Sequence, residues 1–428
     1  MSYKIAAIDI HKRVLMVVVA TTSNEVEEPA GAAMEFVCRK FGAGASERQQ
    51  MVSWLQSQQV CEVVMESTAQ YWKPVWLDLE PHFGKLHLAQ AQSNRAPKGR
   101  KNDFKDGKRL GRRLLAGELM LSFVPEPEQR TWRMMTRGRL QLVRERVRLQ
   151  SQLESLLEEA RIKLSSVISD LFGGSGRRIL EAMAGGETDA AKLAELGDDR
   201  LKCTKPQLAD ALSGSLGAVH RELLKLHLRR LQLLDRQIDK LSEMTARALK
   251  KHQEAVVRLA KVPGFGAESA QQMIAEVGVE AEAFASAGEF ASWAGVCPGS
   301  NVSAEENHSS RCAKGNRYVR RILAEAAQAA VKKKGCHFQH VFRRFLPKLG
   351  WSGAIWVVAH RLARLVWKIL HQGISYIEQG QDTTPMARKR RAQKLAQALR
   401  KLGYRVTLAE MHVSPMPGDA GFPVRSAA

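Results

Sequence analysis

The sequence predicts an α/β amino-terminal domain, a long helical coiled-coil middle and a mainly α carboxy-terminal domain. Three observations predict it. Short, apolar, β-branched runs are interleaved with helical spacing from residue 3 to about 90. Leucines then recur three and four apart through the middle. After Ala255, turns and strong helical patterns alternate to Gly373. The expected boundaries are 1–130, 131–250, 251–373 and, for a basic helical tail with a disordered end, 374–428.

In order, "YKIAAIDI" and "RVLMVVVA" read as strands joined by "HKR" in a hairpin, and "MEFVCRK" as a third strand. "ERQQMVSWLQSQQ" has helical spacing, and "CEVVME" is a buried strand ending in Glu66. "YWKPVWLDLEPHF" is a helix expected to be interrupted early by Pro74, and "KLHLAQ" a final strand. Leu149, Leu153, Leu156, Ala160 and Leu164 form one half of a seam. Leu224, Leu228, Leu231, Leu234, Ile238 and Leu241 form the other, with a Gly-rich break and a helical insert between. The two long helices could pack on each other or on another subunit, and oligomerisation is the natural use of such a seam. "VPGFG" is a turn whose glycines could free N–H groups for a phosphate near a helix start. Pro298 to Gly315 reads as a loop before the next helix.

The chain has 428 residues, with 66 Lys and Arg against 44 Asp and Glu, a formal charge of +22. Such a balance points to a polyanion, with nucleic acid first. No apolar run is long enough to span a bilayer, and the first residues read as a strand rather than a signal peptide. The six cysteines are scattered without CxxC pairing, which suits reduced cytoplasmic thiols.

Four acids stand out by position. Asp9 lies between isoleucines in the first strand, and Glu66 ends another strand. Asp103 and Asp106 are three apart, so they share a helix face. An unpaired carboxylate in a strand core costs several kcal/mol, and a divalent cation would neutralise it. Four such acids suit a two-metal site for phosphodiester chemistry. Around them, Arg95, Lys98, Arg100 and Lys101, then Lys105, Lys108 and Arg109, would hold backbone phosphates. A second informative segment carries Ser300, Ser303, Ser309 and Ser310, followed by Lys314, Arg317, Arg320 and Arg321. A serine among arginines can attack a phosphate, but the residues alone single out none of the four.

"AAIDIHKR", "VVMESTAQYW" and "GRKNDFKDGKRL" resemble the DEDD, RuvC-like domain of transposases of the insertion-sequence-110 family. "VPGFGAESA", "FASWAGVCPGSNVSA" and "KGNRYVRRILAEAAQAA" resemble its carboxy-terminal transposase domain, in the 1111-type subgroup. The resemblance implies an RNase H-like (RuvC-like) fold and a catalytic, metal-binding set of Asp9, Glu66, Asp103 and Asp106, holding two Mg²⁺ ions. It places the nucleophilic serine on Ser303, so that hydroxyl and acids serve one composite site. It further implies recombination of donor and target DNA, a structured guide RNA, action as a dimer or tetramer, and a prokaryotic, nucleoid-associated setting. Three positions depart from the pattern: Asn102 stands where Thr or Ser is usual, Gly107 where Ala is usual, and Glu305 where Gly is usual. Gly107 is expected to loosen its helix by roughly 1 kcal/mol relative to Ala.

Competing readings are weaker. Tyr318 with "HRLAR" lacks the convergent Arg and His set of a tyrosine recombinase, and His360 reads as a packed or capping histidine. Cys336, His337 and His340 lack a second ligand pair for zinc. A metal-dependent, structure-specific nuclease resembling a junction resolvase, with Ser303 inert, is the enzymatic alternative. A non-catalytic RNA- or DNA-binding scaffold is the other.

Overall fold

The computed structural model describes residues 3–22, 34–66, 69–91, 103–299, 301–303, 306–309, 312, 314–378, 389, 392–393, 395–397, 399–400 and 402–408. The chain divides into two compact units, Met1–Pro127 and Glu128–Ala428. The middle and carboxy-terminal stretches that the sequence separates thus fall in one unit.

The first unit runs β1 (Tyr3–Ile10), β2 (Val14–Thr22), β3 (Glu35–Gly42), α1 (Ala45–Ser57), β4 (Glu62–Glu66), α2 (Trp72–Leu79), β5 (Leu86–Ala89), α3 (Asp103–Leu115) and β6 (Leu121–Ser122). The strands order as β3-β2-β1-β4-β5-β6. β1, β2 and β3 form an antiparallel meander, and β4 and β5 lie parallel to β1. β6 returns antiparallel along β5. The hairpin closes where His11 N–H donates to Val14 O at 2.9 Å. One face buries Ile8, Ile10, Val63 and Met65 under Leu55 of α1 and Leu79 of α2. The other buries Ala7, Val64 and Ala89 under Leu110 of α3. Covering both faces explains why these strands are continuously apolar rather than alternating. A mixed sheet with helices on both faces is consistent with an α/β RNase H-like domain. Pro74 does not interrupt α2, because it lies in the first turn, where the missing N–H has no helical partner to lose.

The second unit runs α4 (Pro127–Glu159), α5 (Leu164–Val167), α6 (Gly174–Gly185), α7 (Ala190–Glu195), α8 (Lys205–Ala211), α9 (Ala218–Ala248), α10 (Gln253–Ala260), α11 (Ala267–Val277), α12 (Ala287–Trp293), β7 (Asn301–Ser303), β8 (Glu306–Ser309), α13 (Arg317–Lys332) and α14 (His337–His371). The long helices α4 and α9 run antiparallel. Arg139 Nε donates to Ser242 Oγ at 2.7 Å, and Arg146 Nε to Asp235 Oδ1 at 2.9 Å. Leu149, Leu153 and Leu156 of α4, with Leu224, Leu228 and Leu231 of α9, are buried with Ile179, Leu180 and Met183 of α6. The expected subunit seam is therefore closed within the chain. The insert supplies the nearest apolar cover, and intrachain cover costs no association entropy.

The remaining helices share a second core built on Phe290, Ile274, Leu323 and Leu362. α14 is broken at Gly350, where φ is 66°. Among the described residues no helix is long and apolar enough to cross a membrane. The disordered end expected at the carboxy terminus lies outside the described residues.

Candidate functional site

β1 and β4 are parallel neighbours, with Ala7 opposite Val64 and Ile8 opposite Met65. One step further along the same register places Asp9 beside Glu66. Alternation along each strand puts both on the face covered by α3, with Ile5, Ala7 and Val64. β1 connects to β2 on one side, and β4 to β5 on the other. The two acids thus flank the point where chain direction across the sheet diverges, at the carboxyl ends of parallel strands. Open α/β sheets bind their ligands in that crevice.

α3 brings the other two acids to this end. A Cβ on Gly107 would meet Val18 Cγ2 at 2.8 Å, and one on Gly111 would meet Ala7 Cβ at 3.6 Å and Ile5 Cδ1 at 3.7 Å. As α3 advances from 107 to 111, it moves back toward the start of β1. Its first turn, with Asp103 and Asp106, therefore lies toward the end of β1 that carries Asp9. Gly107 is a close-approach residue, and the loosening expected from it misses what it does. Its missing methyl lets the helix lie against β2. We predict that Gly107→Ala destabilises the first unit by about 1 kcal/mol, the overpacking outweighing the helix-propensity gain. Adding Val18→Ala should return most of that loss. A double-mutant cycle read by urea unfolding checks it; a simple sum of the two single effects would contradict it.

Asp9 is not fully buried, as its strand position suggested. Its side chain is 18% exposed and lies 3.2 Å from His11 Nε2, because the strand ends one residue later. Asp106 is 35% exposed, with Arg109 Nη2 3.7 Å away. Glu66 is partly exposed at its strand end. Carboxylate oxygens are hard donors that suit a cation such as Mg²⁺ or Mn²⁺. The side chain of Asp103 lies outside the described residues. Among the described residues, no group of three or more His, Cys, Asp and Glu side chains is close enough to hold a metal ion. His11 is the residue near the acids that sequence reasoning passed over; its place directly after a strand that carries an acid was the available signal.

Ser303 lies in the second unit. The stretch expected to be a loop contains a two-stranded ribbon, β7 and β8, in which Ser303 pairs with Glu306 beside the turn. Ser303 is thus the last strand residue before the ribbon tip. Its side chain, and Glu305, lie outside the described residues. The ribbon base is held tightly. A Cβ on Gly315 would meet Gly295 N at 2.3 Å and Trp293 O at 2.5 Å, so only glycine lets the two arms approach. Asn316 N–H donates to Trp293 O at 3.0 Å. The Asn316 side chain caps α13 by accepting from Tyr318 N at 2.9 Å and Val319 N at 3.2 Å.

Beneath this base lies a buried charge network that no spacing in the sequence announces. Glu276 of α11 is 2% exposed. It accepts from Arg137 Nε and Nη2, both at 2.7 Å, and from Asn316 Nδ2 at 3.2 Å. Arg133 donates to the backbone carbonyls of Ala275 and Glu276. Burial lowers the Arg133 guanidinium to about 10, opposed by the Glu276 charge, so it stays protonated at neutral pH. For Arg137, burial pulls the value down, but the hydrogen bonds and charge of Glu276 prevail and raise it. The pairing is buried and bidentate, which makes it strong.

The predicted phosphate contacts divide. Arg95, Lys98, Arg100 and Lys101 lie outside the described residues. Lys105 is exposed on α3. Lys108 Nζ sits 5.0 Å from the Phe36 ring of β3, and Arg109 faces Asp106. Lys314 and Arg317 are exposed, with Arg317 Nη2 donating to Tyr318 Oη at 2.9 Å. Arg320 stacks over Trp356 at 4.4 Å. Arg321 is held by Glu325 at 2.6 Å and Gln272 at 2.5 Å. Two amides of the "PGFG" turn are already engaged: Phe265 N–H donates to Val262 O, and Gly266 N–H to Ser269 Oγ at 2.8 Å. Gly264, at φ +92°, instead lets the turn press on Ala326.

Two family models match the chain. One, described as "Transposase" and specific to the DEDD domain of insertion-sequence-110 type, covers residues 6–162. The other, described as "Transposase IS116/IS110/IS902 family", covers residues 256–342. A comparison with curated proteins gave no match. The first match contains all four acids, and the second contains the serine ribbon and its clamp. Together they span more than half of the residues, in the family's order: the chain belongs to the insertion-sequence-110 family of DNA transposases.

Proposed function

We propose that this transposase cuts and rejoins DNA with Ser303 as nucleophile and with Asp9, Glu66, Asp103 and Asp106 as ligands of divalent cations, Mg²⁺ in the cell. The observation that carries the reading is the register of β1 and β4. It sets Asp9 beside Glu66 at the open end of the sheet, with the acid-bearing turn of α3 toward the same end. A DEDD transposase domain implies divalent-metal dependence, and the hard carboxylate set fits such an ion. Bound there, a cation would supply Lewis-acid polarisation of a DNA phosphate.

The chain's own residues do the rest. Ser303 Oγ forms a new P–O bond to the scissile phosphate as the bond from phosphorus to one deoxyribose oxygen breaks. The serine proton leaves to solvent, and the released oxygen takes a proton to become a hydroxyl. The phosphoserine ester keeps one phosphoester bond for each one broken, so attack by a hydroxyl of the second DNA rejoins strands without ATP. Gly315 and Asn316 fix the backbone that follows the ribbon against residues 293–295, which gives the segment carrying Ser303 a rigid base. Lys105, Lys108 and Arg109, with the exposed Lys314 and Arg317, contribute phosphate contacts. The charge of +22 also suits the structured guide RNA that the family resemblance implies.

Ser303→Ala tests the reading. With Mg²⁺ and DNA carrying the element's ends, wild-type protein forms a covalent adduct that survives denaturing electrophoresis. The variant should form none and lose strand exchange by a factor of roughly a thousand or more. If Ser303→Ala still cleaves DNA in a metal-dependent way, the protein is a nuclease of the junction-resolving kind.

A further inference from the structure

We propose that the kink of α14 builds a second nucleic-acid site, a basic cleft that grips the phosphodiester backbone of an RNA or DNA strand well away in sequence from the four acids and Ser303. Val357, His360, Arg361, Arg364, Leu365 and Lys368 recur at helical spacing along one face and line a cleft of about 720 Å³. Its opposite wall is His337, Phe338 and the segment Ile374–Ile377. A second cavity, also about 720 Å³, shares His337 and Arg361 and adds Lys334, His340, Arg343 and Arg344. The two thus adjoin, and among the described residues no Asp or Glu lines either.

The charge there is unspent. Among the described residues Arg343, Arg361, Arg364 and Lys368 make no ion pair, although the unit has acids that pair with other arginines. The nearby acid, Glu378, is taken up by His337 N–H at 2.8 Å and Tyr376 O–H at 2.9 Å. His337 Nδ1 is buried with no hydrogen-bond partner among the described residues. Burial is the larger cause that pushes His360 below its ordinary value, and the charges of Arg364 and Arg361 add to it. From Arg361 to Lys368 the row runs about 10 Å along the helix, enough for consecutive phosphates rather than one isolated anion. Phe338 is buried and Tyr376 half-buried, and their rings stack on each other at 6.2 Å with 17° between them, which braces this wall of the cleft. A basic cleft of this length suits the phosphate backbone of a nucleic-acid strand.

The proposal does not rest on the roles given to the acids or to Ser303, because binding rather than cleavage is read. The full chain carrying Arg361→Gln, Arg364→Gln and Lys368→Gln is compared with wild type and with a control of equal charge loss on α9, Arg229→Gln, Arg230→Gln and Arg236→Gln. Fluorescence anisotropy is run over a salt series with four probes: single-stranded and duplex RNA, single-stranded and duplex DNA. The cleft variant should lose roughly tenfold in affinity on at least one probe, and its salt slope should fall by about 2. A loss confined to RNA or to DNA identifies which strand the cleft holds. Circular dichroism melting checks that the fold is kept, as expected for the exposed Arg364 and Lys368. Should that melt change, Arg361→Lys, Arg364→Lys with Lys368→Arg must restore binding. A cleft variant that binds all four probes like the α9 control overturns the proposal.

Discussion

Asp9→Asn should lower strand cleavage and transposition by roughly a thousandfold, about 4 kcal/mol in transition-state terms. The amide keeps the size of the side chain and its place at the end of β1, so the fold should stay. What it loses is the negative charge that a divalent cation needs, at the position where β1 and β4 set two carboxylates side by side. Glu66→Gln should have a comparable effect, because on the proposed reading the two hold one cation and their losses should not add. A plasmid transposition assay with purified-protein cleavage as a second readout checks it. Cleavage within tenfold of wild type in both variants would contradict it.

Glu276→Ala is expected to have the largest effect on stability. It leaves Arg133 and Arg137 without their buried counter-charge, and removing one partner of a buried pair costs about 3–5 kcal/mol. Arg137 keeps part of its side chain in water, which places the expectation near 3 kcal/mol, a drop of roughly 5–10 °C in the melting of the second unit. Asn316 loses its anchor in the same step, so the ribbon base loosens as well. The pairing of Glu276→Ala with Arg137→Met should be less damaging than the sum of the two, since an apolar side chain needs no counter-charge. Calorimetry on the four proteins of that cycle decides it; additivity would mean that the network carries no coupling.

The legible parts of the molecule are those governed by local spacing. Asp9 was visible because aspartate is rare inside apolar strands, and Glu66 because a continuous apolar run stops at it. The hairpin, the third strand and the long helices follow from the same rules. What depends on distant pairing was not visible. β6 is two residues long, too short to show a period, and exists because β5 has a free edge. The leucine seam has the right spacing for a coiled coil, but spacing does not say which surface covers it, and here the covering helices belong to the insert. Gly107 looked like a weak point in a helix; only the position of Val18 shows that the helix must press there. The contact of Glu276 with Arg137 spans 139 residues, and no local pattern marks it. His360 reads as a packed or capping histidine in an apolar helix, and the same turns carry a row of arginines facing a cleft.

Titration of the full chain with Mn²⁺, followed by electron paramagnetic resonance, tests most directly whether the acids at the open end of the sheet form a cation site. The wild type should bind the ion without nucleic acid, and Asp9→Asn, Glu66→Gln and Asp106→Asn should each weaken it by roughly tenfold or more. Binding that is undiminished in all three would contradict the account.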